Sequence, residues 1–277
     1  MPGHVDAHQH VWSLARGDYG WLTPALAPIH RDYTLADLRP LREQAGVTDT
    51  VLVQAAPTVA ETRYLLGVAE RSDGVVKGVV GWADLGDPSA IPTLTHLARN
   101  PLFKAVRPML QDAPDPAWLL RAEVGRALAA LPRLGLRFEA LVKPAQLPAL
   151  LTMLDRHPDL AVVIDHAAKP DIAHGMWEPW TLHMRAAAAN PRVRCKLSGL
   201  VTEVGPGWTI DVLRPYVDFL AETFGPQRLI WGSDWPVVNL AGTYQSWFAA
   251  TVALTSDWSP DDRAALMGGA ARRFYGL

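Results

Sequence analysis

The segment HVDAHQH, residues 4–10, places Asp6, His8 and His10 at every second position of a short apolar run. Two is the side-chain period of a β-strand, so the three titratable groups are predicted to share one face, with Val5, Ala7 and Gln9 on the other. Burying an ionisable face is costly unless its groups are paired, hydrogen-bonded or bound to a metal. This strand therefore demands partners from elsewhere in the chain.

Seven more short runs read as strands: DTVLVQA (49–55), VVKGVVGWADL (75–85), FKAVRPM (103–109), RFEALVK (137–143), AVVIDHA (161–167), RVRCKLSG (192–199) and RLIWGSDWP (228–236). Helix-like segments separate them. Thr34 and Thr58 read as N-caps, with Asp37 and Glu61 three residues on; Glu61 is predicted to complete a capping box and Asp37 only to approximate one. Gly46, Asn100-Pro101, His157-Pro158, Asn190-Pro191 and Gly225-Pro226 each fall just before a strand, as helix stops should. Parallel strands need crossover helices, so eight alternations predict a single (β/α)8 TIM barrel over residues 1–277. An open doubly wound sheet is disfavoured because no GxGxxG or GxxxxGK[ST] loop follows an early strand.

Composition fits an enzyme-sized globular domain: 277 residues, 49% hydrophobic and 19% charged. A formal net charge of −2 with no Lys/Arg-rich block gives no footprint for nucleic acid or an anionic membrane. No apolar run approaches the roughly 18 residues of a membrane span. MPGHVDAHQH shows neither a basic leader nor an apolar signal core, and Cys195 has no internal disulfide partner, so the cytoplasm is the expected compartment. Self-association is left open.

In such a barrel the partners of His8 and His10 belong at the C-terminal ends of other strands. The sixth run ends in IDHAAKP with His166 and the eighth in WGSDWP with Asp234; the fourth carries Arg107, the fifth Glu139 and the seventh Lys196. His8, His10, His166 and Asp234 form an N,N,N,O set that could hold one divalent ion, zinc being the expected one, with an open position for water. The same residues could instead act without metal, moving protons and polarising a carbonyl around a water molecule. Arg107, Lys196 and Glu139 read either as substrate contacts or as members of an internal ion pair. Trp12, Trp82, Trp231 and Trp235 lie at or near strand ends, and one or two of them, Trp82 foremost, are candidates to stack on a sugar-like ring; His30 is the candidate substrate contact among the histidines outside the strands. Asp6 is expected to anchor its strand by hydrogen bonds. Cys195 lacks a histidine partner for nucleophilic work, and no GxSxG elbow occurs.

The HxH pair, the DH of the sixth strand, KLSGL (196–200) and WGSDWP (231–236), in that order and at barrel spacing, resemble the amidohydrolase superfamily. More closely, they are similar to its amidohydrolase-2 branch, which contains sugar lactonases such as L-fucono-lactonase and L-rhamnono-lactonase together with pyrone dicarboxylate lactonase. The likeness runs over essentially the whole chain, including WLTPALAPIHRDYTLADLRP (21–40). It implies that Asp234 is the general base that activates water, with His166 assisting, and that His8, His10 and His166 surround the scissile carbonyl or a metal. A binuclear centre would need a bridging lysine or carboxylate and two middle-strand histidines, and only His166 ends a middle strand. At most one ion is expected, and members of the branch thought to work without metal leave its requirement open. The expected reaction is hydrolysis of a small cyclic ester, an aldono-lactone such as L-fuconolactone. Two alternatives stand beside it: a mononuclear-metal decarboxylase of an aromatic or muconate-type acid, and a non-catalytic barrel that binds a sugar acid.

Overall fold

The computed structural model describes residues 3–277. Eight strands, β1 (His4–Gln9), β2 (Val47–Val53), β3 (Val76–Gly81), β4 (Phe103–Val106), β5 (Arg137–Ala140), β6 (Val162–Ile164), β7 (Val193–Leu197) and β8 (Leu229–Trp231), form one parallel sheet in sequence order. The sheet curls until its first and last strands meet just beyond β8, where Asp234 N donates to His8 O at 2.8 Å and His10 N to Trp235 O at 2.7 Å. This is the expected (β/α)8 barrel. The helices are α1 (Leu35–Gln44), α2 (Val59–Glu70), α3 (Ala90–Leu97), α4 (Ala122–Ala130), α5 (Leu147–Arg156), α6 (Trp180–Ala188), α7 (Leu200–Val204), α8 (Ile210–Phe224), α9 (Tyr244–Leu254), α10 (Pro260–Ala264) and α11 (Ala270–Tyr275). Among the described residues no helix is long and apolar enough to cross a membrane.

Two apolar layers hold the barrel. The outer one lies between sheet and helices, with large buried side chains such as Trp180, Trp231 and Trp247. The inner one fills the barrel from below: Val5, Ala7, Val51, Val53, Val80, Ala105, Val163 and Ile230 pack against Ala270, Ala271, Phe274 and Tyr275 of α11. The last helix thus plugs the N-terminal end and leaves the C-terminal end for chemistry.

Most of the predicted strand runs extend past the strands at their C-terminal ends. Residues such as Arg107 to Met109, Asp165 to Ala167 and Gly232 to Pro236 leave the ladder, because their polar groups turn over the barrel mouth instead of pairing along it. β1 also departs from strict alternation. Its pairing with β2 shifts register between Asp6 and Gln9. Val5 and Ala7 consequently pack inside the barrel, yet His8 also turns inward, to Lys196 and Arg107, whereas Asp6 reaches the backbone of Ser233. The three titratable groups do not share one face. The two caps exchange roles as well: Thr34 and Asp37 form the reciprocal box, whereas the Glu61 carboxylate accepts the N–H groups of Ala55 and Ala56 and does not return to Thr58.

Candidate active site

Asp234 sits in the turn that follows β8, and its backbone is left-handed at φ 56°. That conformation, together with the Asp234 N to His8 O hydrogen bond, aims the carboxylate back over the barrel axis. Its Oδ1 lies 3.3 Å from His10 Nε2, 3.7 Å from His8 Nε2 and 3.9 Å from His166 Nε2. One carboxylate oxygen is therefore ringed by three imidazoles, all almost fully buried. Burial alone would raise the Asp234 pKa, but the facing imidazoles of His166, His10 and His8 outweigh it and hold the group below the usual carboxylate range. It is ionised throughout the neutral range.

His166 is presented by an unusual turn. His166, Ala167, Ala168 and Lys169 are left-handed in succession, with φ of 50°, 51°, 59° and 52°, a conformation that costs about 1 kcal/mol or more per non-glycine residue. The turn is held by Trp180 Nε1 donating to Ala167 O at 2.7 Å and by the Lys169 to Glu203 ion pair at 2.7 Å. KLSGL supplies the support behind the ring: Ser198 Oγ lies 2.9 Å from His166 Nδ1, and a Cβ at Gly199 would come within 2.5 Å of that nitrogen. Burial pushes the His166 pKa down to about 4, so the ring is neutral at pH 7.

Beneath this cluster lies a layer of ion pairs. Lys196 Nζ meets Glu139 Oε2 at 2.6 Å and Asp165 Oδ1 at 3.1 Å, and Arg107 Nη1 meets Asp165 Oδ2 at 3.2 Å. All four residues are buried. Tyr275 of α11 donates its hydroxyl to Glu139 from below, while Gln54 Oε1 accepts from Arg107 Nη2 at 3.0 Å. Burial would raise the Asp165 pKa, but the charge of Lys196 and the His8 ring hold it well below normal. Lys196 and Glu139 form the site floor as an ion pair and do not line the cavity above it.

That cavity, of about 190 Å3, is lined by His10, Arg107, His166, Lys169 and Asp234 on its polar side and by Trp21, Met109, Leu141 and Val237 on its apolar side. Neither Trp82 nor His30 is among its lining residues. The aromatic wall is Trp21, carried over the mouth by the loop between β1 and α1 and fixed there by its Nε1 donating to Ala55 O at 2.7 Å. Sequence reasoning passed over Trp21 because that loop has no periodicity to reveal where it runs. Asp165 and Ser198 were also passed over, although each adjoins or lies within a quoted motif. A larger cavity of about 760 Å3 lies at the opposite end, among His4, Met267 and Arg272. It contains none of this titratable cluster.

The donors suit one small divalent ion. His8, His10 and Asp234 place one ligand atom each within 4.8 Å of one another, as do His8, Asp165 and His166. His10 adds a specific reason: its Nδ1 lies 2.8 Å from Val53 O, an acceptor, so Nδ1 carries a proton and Nε2, 3.3 Å from Asp234 Oδ1, is the nitrogen that a metal would take in the neutral ring. Imidazole and carboxylate donors of this kind are those of catalytic zinc sites.

A (β/α)8 barrel whose C-terminal end gathers three imidazoles around one carboxylate oxygen, beside a cavity, is laid out as a hydrolase. The chain belongs to the amidohydrolase family, whose profile matches residues 5–277. It is 46% identical to the L-fucono-1,5-lactonase of Burkholderia ambifaria, covering 99% of this chain and 96% of that protein. The L-fucono-1,5-lactonase of Burkholderia multivorans is 35% identical with the same coverage of each. Among solved structures, an amidohydrolase from Burkholderia multivorans with bound zinc superposes with a TM-score of 0.92 at 34% identity, covering 99% of both chains.

Proposed function

We propose that this chain is a lactonase that opens a sugar-acid lactone of the L-fucono-1,5-lactone class. The observation that carries the reading is the ionised Asp234 carboxylate held within 4 Å of three imidazole nitrogens at a cavity of about 190 Å3. That volume is below the usual range for drug-sized ligands and suits a single sugar ring. The likeness to two L-fucono-1,5-lactonases supports the same substrate class.

In this mechanism a water molecule beside Asp234 attacks the ring carbonyl carbon, and the carboxylate takes its proton. Charge growing on the carbonyl oxygen is met by the Arg107 side of the cavity, where stabilisation is typically worth about 3 kcal/mol per donor. The tetrahedral centre collapses by breaking the ring C–O bond. Asp234 returns its proton to the leaving alkoxide, giving a hydroxy acid. A carboxylate of depressed pKa is a weak base, so the activated ester and the prepaid positioning of the water supply much of the rate. If a divalent ion is bound, His10, Asp234 and His8 would hold it, and it would polarise the carbonyl and acidify water. Arg107 and Lys169, which line the cavity, suit the substrate's oxygens, and Trp21 suits the apolar face of the ring.

The test is acid release measured with a pH indicator on a panel of 1,4- and 1,5-sugar-acid lactones, with and without chelator. Turnover of a deoxy-sugar lactone is expected, with Asp234→Asn lowering kcat by about 10² to 10⁴-fold. Asn tolerates the left-handed backbone at this position, so the variant isolates the base. Silence of the folded wild type across the panel, or full activity in the variant, overturns the reading.

A further inference from the structure

Arg107 and Gln111 stand four residues apart on the segment that leaves β4, and both line the cavity beside Asp234. The segment is fixed at two points: Gln146 Nε2 donates to Leu110 O at 2.7 Å, and Lys143 Nζ pairs with Asp112 Oδ1 at 3.0 Å. Gln111 is therefore held between two anchors.

The polar side chains of this cavity differ in how far the protein already uses them. Arg107 has five N–H donors. Its Nη1 faces Asp165 Oδ2 at 3.2 Å and His8 Nε2 at 3.3 Å, and its Nη2 faces Gln54 O and Gln54 Oε1. Nε is left, buried and without a partner among the described residues. Lys169 is paired with Glu203, Asp112 with Lys143, and Asp234 faces three imidazoles. Gln111 Oε1 is the counterpart of Arg107 Nε among the acceptors: it is buried without a partner, on a half-buried residue. The amide turns readily about its last bond, which is enough to bring its oxygen to a ligand in the cavity.

These two groups have opposite demands. Arg107 Nε–H needs an acceptor, which a lactone offers at its carbonyl or ring oxygen. Gln111 Oε1 needs a donor. The ester group has none, so only a hydroxyl on the ring can meet it. The charge of the lining points the same way: Arg107 and Lys169 are matched by Asp112 and Asp234, so apart from the imidazoles no cation is left over for a ring that carries a carboxylate.

We propose that Gln111 is a specificity-determining residue, whose amide oxygen accepts the O–H of a ring hydroxyl and so selects an uncharged, hydroxylated lactone. This rests on the lactone-hydrolysis reading and deepens it. An orientation follows: with the carbonyl oxygen toward Arg107, the selected hydroxyl lies farther along the same segment, at Gln111. A site built around such a contact rejects the analogue without the hydroxyl, because binding then shuts the acceptor away from water unpaired.

The experiment compares kcat/KM of the full chain on L-fucono-1,5-lactone and on its 2-, 3- and 4-deoxy analogues, for the wild type, Gln111→Met and Gln111→Glu. Methionine keeps the length of the side chain and removes donor and acceptor; glutamate keeps an acceptor. Each deoxy penalty is a ratio within one enzyme, so partial misfolding of a variant cancels. In the wild type, loss of one hydroxyl should lower kcat/KM about tenfold, the size of a neutral hydrogen bond. That penalty should fall at least threefold in Gln111→Met and persist in Gln111→Glu. Should Gln111→Met not fold, Gln111→Leu takes its place with the same expectation. With lactone turnover present, three outcomes each overturn the proposal and leave the functional reading standing: no penalty at any position in the wild type, a smaller fall in the apolar variant, or a penalty lost in Gln111→Glu as well. No turnover of any of the four lactones by the folded wild type overturns the functional reading, and the role of Gln111 with it.

Discussion

Asp6 Oδ1 accepts the backbone N–H of Ser233 at 2.9 Å, and the same oxygen accepts the N–H of His8 at 3.2 Å. One buried carboxylate thereby ties the first strand to the segment after the last and sets the spacing between His8 and Asp234. Asp6→Ala would leave two buried N–H groups without an acceptor, at about 1–3 kcal/mol each. Thermal or urea unfolding should show that loss, with a fall in kcat. Asp6→Asn keeps the amide oxygen and should retain most of both, because burial already raises the Asp6 pKa to about 6 and the contacts do not require a full charge. Equal damage in the two variants would show that charge, not acceptor geometry, is what matters there.

Gly199 is required by two constraints at once. Its φ is +67°, and a Cβ would lie 2.5 Å from His166 Nδ1 and 2.9 Å from His166 Cβ. Gly199→Ala should therefore push the His166 ring off its Ser198 contact and lower kcat by at least tenfold. Backbone strain adds about 1–2 kcal/mol of lost stability. Rates and melting temperatures of the alanine variant check both, and a wild-type rate would show that His166 tolerates displacement.

How much of this was readable from the residues differs by feature. The strand positions were legible because β-branched runs bounded by Gly and Asn-Pro stops have no good helical alternative. Ends were less so: a run such as VVIDHA reads as one apolar strand, and nothing in Ala-Ala, a strong helix former, announces four left-handed residues. The register shift in β1 is equally hidden, since HVDAHQH satisfies perfect alternation on paper. Glu61 stands three residues after the threonine of a helix start, the place of a capping-box glutamate, and in fact serves the backbone of Ala55 and Ala56, a choice made by tertiary packing. His8, His10, His166 and Asp234 stand out in the sequence because titratable residues on apolar strands are conspicuous, and the fold brings the four together. The aromatic wall was assigned to Trp82 by nearness to a strand end, whereas Trp21 reaches the cavity along an aperiodic loop.

Trp21 offers a test of substrate contact separate from chemistry. Its indole N–H is spent on Ala55 O, leaving the ring as apolar wall. Trp21→Ala should cost about 1–2 kcal/mol of binding, read as a roughly 5–30-fold rise in KM with kcat changed much less. Trp21→Phe, which keeps a ring and loses the anchoring hydrogen bond, should fall between. An unchanged KM for Trp21→Ala would place the sugar against another wall.

The buried, neutral His166 makes stability depend on pH in a direction that can be worked out. Its pKa falls from the ordinary 6.5 to about 4 on folding, chiefly through burial, with Asp234 opposing part of the shift. Between those two values the unfolded chain binds a proton that the folded chain does not, so this residue makes folding more favourable as pH rises from about 4 to 6.5 and less favourable as pH falls. At about 1.4 kcal/mol per pH unit the span amounts to about 3 kcal/mol at most. Other buried groups titrate in the same window, Asp6 among them with the opposite sign, since its raised pKa favours the folded state at the acid end. The contribution of His166 is isolated by subtracting the variant: the unfolding free energy of wild type minus that of His166→Asn should climb across pH 4 to 6.5 and flatten above it. Asn suits the left-handed backbone and can still meet Ser198, so the subtraction removes little except the titration. A difference that stays level with pH would mean that His166 remains protonated in the folded protein, and Asp234 would then be facing an imidazolium, with the water held between two charges instead of beside one.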